Sequence, residues 1–323
     1  MTFRKKKRSM FIVYLISIFA IVLWGMSYIW TDRLLELGIP VFYFVFVRIL
    51  VAGIVLFLLN STAGKVRKIE RKDLPKFMLL AFFEPFIYFL CETYGIEMTG
   101  SPTLSAMIIA TVPIVSVFAG AIFFKEKISF FNIFGIALSL FGILLVVMSH
   151  GEMGDNMILG IILLVLAVFS EVGHASVTKS LSGNYSAQVI TMYQFLFGSV
   201  YLLPLFLWKG LDNFDPHFYF SADVMYPIVC LAVLCSSLAF SLWVGSIKSL
   251  GVAKSGIFMA LIPVVTALIS WILGQKVLTL HQSVGIGIAV LGLVVSQLQI
   301  RRRHSSKNKK IEDKSSGELS SES

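Results

Sequence analysis

The chain is a succession of long apolar stretches separated by short polar connections. Seven stretches longer than 20 residues contain no Asp, Glu, Lys or Arg, namely 10–31, 98–124, 128–151, 180–208, 224–247, 255–275 and 277–300. Three more, 37–64, 74–96 and 156–178, are equally apolar but contain ionisable side chains. Because a membrane-spanning helix needs about 20 mostly apolar residues, the pattern predicts ten transmembrane helices in an all-α polytopic membrane protein.

The connections divide these helices into two units of five. We expect a basic cytoplasmic N-terminus at 1–9, one five-helix unit at 10–150, a second at 157–300 and a cytoplasmic tail at 301–323. The tail is rich in Ser, Lys and Glu, a composition that buries too little apolar surface to fold, so we expect it to be disordered. The longest connections, 60–76 and 209–223, are too short to hold a separate domain.

Composition excludes a water-soluble enzyme. Hydrophobic residues make up 57% of the chain and charged residues only 14%, whereas soluble domains carry about 25% charge. The three cysteines, Cys91, Cys230 and Cys235, lie in apolar stretches without the spacing of a metal site. We therefore expect no bound metal and no cofactor.

The distribution of positive charge predicts the orientation of the helices. With a cytoplasmic N-terminus, 23 of the 27 Lys and Arg residues fall on the cytoplasmic side and 3 on the outside. Cytoplasmic loops carry such an excess in membrane proteins. We therefore predict a multi-pass protein of the cell (inner) membrane with both termini cytoplasmic. In this interpretation the net charge of +9 reflects basic residues that orient the helices in the membrane, so nucleic-acid binding is not expected.

An offset of 150 residues aligns the fourth and fifth spans with the ninth and tenth. Each unit has an odd number of spans, so the second must enter the membrane with the opposite orientation. Such inverted-topology repeats are a recurring plan of secondary transporters. The alignment rests mainly on the pairs Ala110–Ala260, Pro113–Pro263, Gly135–Gly285 and Gly142–Gly292.

The chain resembles the drug/metabolite transporter superfamily, in particular its EamA-type ten-helix members, over residues 10–300. The resemblance implies an exporter of amino acids or similar small metabolites across the bacterial inner membrane. Two departures are that Lys276 stands where the second repeat usually carries Glu, and that the first span has no acid before Asp32 to match the coupling Glu of the small four-helix relatives. The matching residues are Leu23 to Ser27, Arg48 and Ala52, Ala110 to Pro113, Phe124 to Lys127, Asn132 to Gly135, Gly142, Leu261 to Thr266, Leu273 to Thr279, Gln282 and Gly285.

Five ionisable residues inside the predicted spans are candidates for the substrate or ion pathway: Arg48, Glu84, Glu92, Glu171 and His174. A charged side chain at mid-membrane costs about 2.5–3.5 kcal/mol, so such residues normally face the bundle interior or a water-filled cavity. A carboxylate there could bind and release a proton in each transport cycle. The alternative is structural, with Arg48 pairing with Glu84 or Glu92 as a fixed clamp.

Tyr88 lies between the two glutamates of the third span, so that Glu84, Tyr88 and Glu92 form an i, i+4, i+8 stripe. Four other aromatic residues are candidates for stacking on a substrate, namely Trp24, Tyr28, Tyr193 and Trp243. Pro85, Pro113 and Pro263 are candidate hinges, because proline interrupts the hydrogen bonding of a helix.

These features favour a secondary transporter that moves a small metabolite by alternating access, with or without proton coupling. An intramembrane enzyme and a non-transporting scaffold are the alternatives. Only the pair Glu171 and His174 hints at an intramembrane enzyme. A scaffold usually carries a soluble domain, and the connections of this chain are too short for one. No nucleotide-binding motif is present. The pattern leaves open which substrate is carried, and whether the protein is a monomer or a homodimer.

Overall fold

The computed structural model has ten apolar helices among the residues that it describes, which are 2–124, 130–148, 155–212, 214–251, 255, 258–274 and 279–296. Seven are long enough to cross a membrane and three are shorter. The helices are α1 (Thr2–Glu36), α2 (Val41–Thr62), α3 (Leu74–Thr99), α4 (Pro102–Phe118), α5 (Phe130–Met148), α6 (Asp155–Leu181), α7 (Ala187–Gly210), α8 (Ala222–Leu250), α9 (Ile262–Ile272) and α10 (Leu280–Ser296).

The outer surface of the bundle is strongly apolar. Phe130 on α5 and Leu280 on α10 are 74% and 77% exposed, and exposed Phe, Leu, Ile and Val side chains recur along most of the helices. A water-soluble monomer does not expose apolar surface on this scale. The chain is therefore a multi-pass membrane protein, as its sequence predicts.

Local signals move several helix ends from their predicted positions. α7 begins at Ala187 rather than near residue 180, because the Ser186 hydroxyl caps it by accepting a hydrogen bond from the Val189 amide. α4 begins at Pro102 because Gly100 has a left-handed φ of 57° and the Ser101 hydroxyl accepts from the Leu104 amide. The helical backbone of α1 begins at Thr2, so the predicted basic segment 1–9 is continuous with the first span. The tail 301–323, Lys125 to Lys127 and Lys276 lie outside the described residues.

α5 and α10 pack in direct backbone contact around four glycines. A Cβ atom on Gly135 would lie 2.6 Å from the Gly292 carbonyl oxygen, and one on Gly142 would lie 2.5 Å from that of Gly285. The early glycine of each helix thus meets the late glycine of the other, so the two helices run antiparallel. Adding 150 residues takes Gly135 to Gly285 and Gly142 to Gly292, so the offset exchanges the two contacts. Such an exchange is the symmetry of a two-fold axis perpendicular to both helices.

The remaining helix pairs follow the same symmetry. The symmetry makes α1 equivalent to α6, α3 to α8 and α4 to α9. The packed pair α3–α6 therefore has its equivalent in α8–α1, and the packed pair α1–α9 has its equivalent in α6–α4. Because the equivalent helices α5 and α10 are antiparallel, the axis lies in the plane of the membrane. The fold is thus built from two inverted five-helix repeats.

Helix breaks also recur at equivalent positions. The helical hydrogen bonding of α4 is interrupted by a turn at Ala110 and Thr111, and a turn at Ala260 and Leu261 precedes α9. Pro113 and Pro263 are each the second residue of the helix that follows, where a missing amide hydrogen costs little. α3 and α8 in turn contain π-helical segments at Phe82–Ile87 and Cys230–Ala239.

Candidate functional site

A cavity with both polar and apolar walls lies in the centre of the bundle, between the two repeats. About 20 Å³ of it is accessible to the centre of a water molecule, which is room for one or two waters. The first repeat contributes α1, α2 and α3, and the second contributes α6, α8 and the chain around the start of α9. Its walls are formed by Trp24, Ser27, Tyr28, Arg48, Glu84, Tyr88, Phe89, Glu92, Glu171, Phe240, Met259 and Ile262.

The polar side of the cavity depends on a break in α3 at Glu84 and Pro85. Glu84 has φ −143° and ψ 120°, an extended conformation that the residue before a proline favours. The Phe83 carbonyl, next to the break, accepts a hydrogen bond of 2.7 Å from the Ser170 hydroxyl on α6. The break turns Glu84 towards α6, whereas Tyr88 and Glu92 follow on the regular helix after it. The three side chains therefore line one cavity without forming the continuous stripe that their spacing predicts.

Glu92 and Arg48 place opposite charges on the cavity wall. The Tyr88 hydroxyl donates a 2.9 Å hydrogen bond to Glu92 Oε1. Arg48 donates from Nε to the Ser236 hydroxyl at 2.7 Å, and its guanidinium carbon lies 4.3 Å from the centre of the Phe89 ring. Among the described residues, no carboxylate oxygen comes within 4.0 Å of the guanidinium nitrogens. The Arg48 clamp considered from sequence is thus not formed as a direct ion pair.

A second polar group joins the two repeats beside the break. His174 Nδ1 lies 2.9 Å from Glu84 Oε2 and 3.1 Å from Glu171 Oε2. Its Nε2 lies 3.2 Å from the Gln194 side-chain oxygen and 3.3 Å from the Thr178 hydroxyl. We call Glu84, Glu171 and His174 the buried triad. One ligand atom from each of its members lies within 4.8 Å of the other two, as is required of metal ligands.

All five ionisable candidates named from sequence are buried inside the bundle. Arg48, Glu84, Glu92 and Glu171 are at most 7% exposed, and His174 is fully buried. Sequence reasoning did not identify Gln194 as a partner of His174. A signal that could have found it is that, at an offset of 146 residues between the repeats, Gln194 aligns with Arg48.

The aromatic candidates divide into two groups. Trp24 and Tyr28 line the cavity, and Trp243 packs against Trp24 with 5.1 Å between ring centres. Tyr193 lies elsewhere, since its hydroxyl donates to the Arg67 carbonyl in the connection between α2 and α3. Its ring packs on Phe77 at the start of α3. Phe89 and Phe240 supply apolar wall that sequence reasoning did not single out.

Comparisons with known proteins support a transporter. A Bacillus subtilis protein named Uncharacterized transporter YetK is 26% identical over 83% of this chain and 81% of its own length. A Streptantibioticus cattleyicolor protein named Probable terminal-alkyne amino-acid exporter is 27% identical over 80% of this chain and 85% of its own. One solved crystal structure superposes with a TM-score of 0.67 at 15% identity, covering 90% of this chain and 98% of that one, which shows a shared fold.

The model of the EamA-like transporter family matches the chain twice, at residues 11–148 and 158–297. These two matches are the two five-helix repeats that the glycine contacts relate by a two-fold axis. The chain therefore belongs to the EamA-like transporter family.

Proposed function

We propose that this protein exports a zwitterionic, amphipathic metabolite such as an amino acid by alternating access, in exchange for protons. The observation that carries the proposal is the pair of opposite charges, Arg48 and Glu92, on the wall of a central cavity between two inverted repeats. Secondary transporters with inverted repeats bind their substrates at such a position.

The chemistry of the walls supports a substrate with both charges. A guanidinium recognises a carboxylate through paired hydrogen bonds, and among the described residues Arg48 hydrogen-bonds through its Nε alone, to Ser236. The Glu92 carboxylate can accept hydrogen bonds from an ammonium group. Trp24, Phe89 and Phe240 provide the apolar surface on which a hydrocarbon or aromatic side chain packs. The relative named as a probable exporter of an amino acid is consistent with this class.

Competition between a proton and the substrate for Glu92 would couple transport to the proton gradient. One carboxylate binds either a proton or a substrate ammonium group, because each neutralises the same charge. If the protein passes between its inward-open and outward-open states only when Glu92 is neutralised, it exchanges protons for substrate across the membrane. This exchange needs no other source of energy than the proton gradient.

The size of the cavity supports movement between the repeats. An amino acid requires a larger volume than one or two waters, so the two repeats must separate on one side to admit it. The antiparallel α5–α10 pair lies on the two-fold axis, which makes it a suitable fulcrum for such rocking. With both termini on the cytoplasmic side of the cell (inner) membrane, the proton gradient would drive the substrate outwards.

Counterflow in proteoliposomes tests the substrate class. Vesicles loaded with an unlabelled amino acid should accumulate the labelled one, with little uptake of the corresponding amine or N-acetyl derivative. Arg48→Gln should reduce the preference for the amino acid over the amine, and Glu92→Gln should reduce the preference over the N-acetyl derivative.

The matched control is Tyr193→Phe, an aromatic substitution away from the cavity, which should leave the selectivity unchanged. Equal transport of all three compounds by the parent protein would contradict a zwitterionic substrate. Transport that is selective but independent of pH would instead identify an uncoupled facilitator.

A further inference from the structure

The buried triad is only partly satisfied by hydrogen bonds, since His174 Nδ1 bonds with Glu171 Oε2 at 3.1 Å whereas Glu84 Oε2 has no such bond. Glu84 Oε2 contacts His174 Nδ1 at 2.9 Å, but the direction of approach does not form a hydrogen bond, and that oxygen accepts none elsewhere in the described chain. Both triad carboxylates are buried, with at most 5% of either side chain exposed. An unsatisfied buried carboxylate is costly, so the arrangement calls for a cation.

The far side of the imidazole ring is held as in metal-binding histidines. The Gln194 side-chain oxygen, 3.2 Å from His174 Nε2, is an acceptor and therefore favours the tautomer that carries its hydrogen on Nε2. With a metal ion bound, the Nδ1 lone pair of His174 would face the ion in place of the hydrogen bond to Glu171 Oε2. Metal-ligating histidines characteristically donate from their second nitrogen to an oxygen acceptor in this way.

Charge gives an independent argument. In the part of the chain that the structure describes, no Lys or Arg nitrogen lies within 4.0 Å of either triad carboxylate. When both carboxylates are ionised and His174 is neutral, the triad carries two negative charges, which a single divalent cation would neutralise. Both glutamates also line the central cavity, so an ion that enters the cavity reaches them.

We propose that the buried triad binds one divalent transition-metal ion of the Zn²⁺ class. His174 Nδ1 and one oxygen from each of Glu84 and Glu171 would be the ligands, leaving one coordination position towards the cavity. The separations of 2.9 and 3.1 Å between nitrogen and oxygen approach the roughly 3.4 Å between ligand atoms of tetrahedral zinc. An imidazole ligand favours Zn²⁺, Co²⁺ or Ni²⁺ over Mg²⁺ or Ca²⁺.

A bound ion would connect the two repeats, because Glu84 belongs to α3 and the other two ligands belong to α6. If transport requires the repeats to separate, as the proposed function states, then the ion holds them together and slows transport. This consequence rests on the proposed function, whereas binding of the ion does not.

Isothermal titration calorimetry of the full-length protein in detergent tests binding directly. We expect a single Zn²⁺ per chain, and with Co²⁺ the visible absorption of a tetrahedral complex. Glu84→Gln, which preserves the shape of the side chain, and His174→Ala should each weaken binding by about 100-fold or abolish the Co²⁺ spectrum. Gln194→Met removes the side-chain amide whose oxygen positions His174 but no ligand of the ion, and should weaken binding by about 10–100-fold.

Two controls separate the triad from adventitious binding. Glu92→Gln removes a buried carboxylate of the same helix outside the triad, and His281→Ala removes an exposed histidine. Both should bind Zn²⁺ like the parent, and all variants are compared only if they elute as the parent does in size-exclusion chromatography. Zinc affinity that is unchanged in Glu84→Gln and Gln194→Met, or absent in the parent, would overturn the proposal and leave the triad as a site for protons alone.

A transport measurement then distinguishes the two proposals. In counterflow, Zn²⁺ should inhibit the parent and spare Gln194→Met at the same concentration. Zinc binding without any amino-acid counterflow would contradict the proposed function and leave the metal site standing. Amino-acid counterflow without zinc binding would contradict the metal site and leave the proposed function standing.

Discussion

At the scale of single residues, the proposed recognition of a substrate carboxylate depends on how Arg48 is held. Its Nε is bound to Ser236 and its planar group lies over Phe89, which leaves the two terminal nitrogens for a ligand. A lysine has one nitrogen and no planar group, so it cannot keep both contacts and still bind a carboxylate through paired hydrogen bonds.

Arg48→Lys should therefore raise the KM for a zwitterionic substrate by about tenfold, which corresponds to about 1.4 kcal/mol. Initial rates of counterflow across a range of substrate concentrations measure the change. An unaltered KM in Arg48→Lys would mean that the guanidinium is structural and does not touch the substrate.

Asp73 illustrates a charge outside the membrane that stabilises the fold. It precedes α3, where it accepts hydrogen bonds of 3.1 Å from the Lys76 ammonium and the Tyr185 hydroxyl. The hydrogen bond from Lys76, assisted by that from Tyr185, lowers the pKa of the Asp73 carboxyl below its ordinary value. The contact joins the first repeat to the connection between α6 and α7.

A carboxyl whose pKa is lowered by folding stabilises the folded state at neutral pH. This contribution is lost as the pH falls below about 4, through the lowered pKa. Asp73→Asn should thus lower the melting temperature at pH 7, and the difference from the parent should shrink towards pH 3. Thermal unfolding in detergent at several pH values measures it. A difference that does not change with pH would show that the charge of Asp73 contributes nothing.

Sequence reasoning identifies the buried charges but not their partners. The cost of a charge in lipid singles out Arg48, Glu84, Glu92 and Glu171 without any structure. The meeting of Glu84 with His174 depends on the break before Pro85 and on the packing of α3 against α6, and neither follows from the spacing of residues. Tyr193 shows the same limit, because a helical pattern does not reveal which aromatic residues face the centre.

At the scale of helices, the contact of α5 with α10 depends on glycine. A side chain at Gly142 would collide with the backbone of α10, with 2.5 Å between its Cβ and the Gly285 oxygen. Gly287 on α10 faces open space, since nothing lies within 4 Å of an added Cβ. The two positions therefore make a matched pair.

Gly142→Val should destabilise the protein by about 1–3 kcal/mol or more, because the backbones must move apart. Gly287→Val should leave stability near that of the parent. Melting temperatures and the monodisperse fraction in size-exclusion chromatography provide the comparison. Equal effects of the two substitutions would contradict the direct contact of the two helices.

The helix pattern is predicted well from sequence, whereas the interruptions are predicted only in part. The length of the apolar stretches predicts all ten helices. The alignment of Pro113 with Pro263 predicts that the interruptions lie at equivalent positions in the two repeats. The prolines themselves lie just after the interruptions rather than inside a bent helix. The turns at Ala110 and Ala260 carry no glycine or proline of their own, so only the structure places them. Whether Pro85, Pro113 and Pro263 act as hinges stays a prediction.

At the scale of the whole molecule, the distribution of Lys and Arg predicts the orientation in the membrane. Lys68 and Asp212 are exposed in connections that the predicted topology places on opposite sides. The three native cysteines are buried and give little background. In intact cells, a membrane-impermeant thiol reagent should label Asp212→Cys and should label Lys68→Cys only after permeabilisation. The reverse pattern would contradict cytoplasmic termini.

The central claim is that Glu92 exchanges a proton for a substrate between two rocking repeats. Accumulation of labelled amino acid in proteoliposomes under an imposed pH gradient tests it most directly. An acidic interior should drive uptake by the parent and by Glu97→Gln, which alters an exposed carboxylate of the same helix. Glu92→Gln should lose the gradient-driven accumulation while it retains counterflow at a raised KM. Accumulation by Glu92→Gln equal to that of the parent, or uptake by the parent that ignores the gradient, would contradict the account.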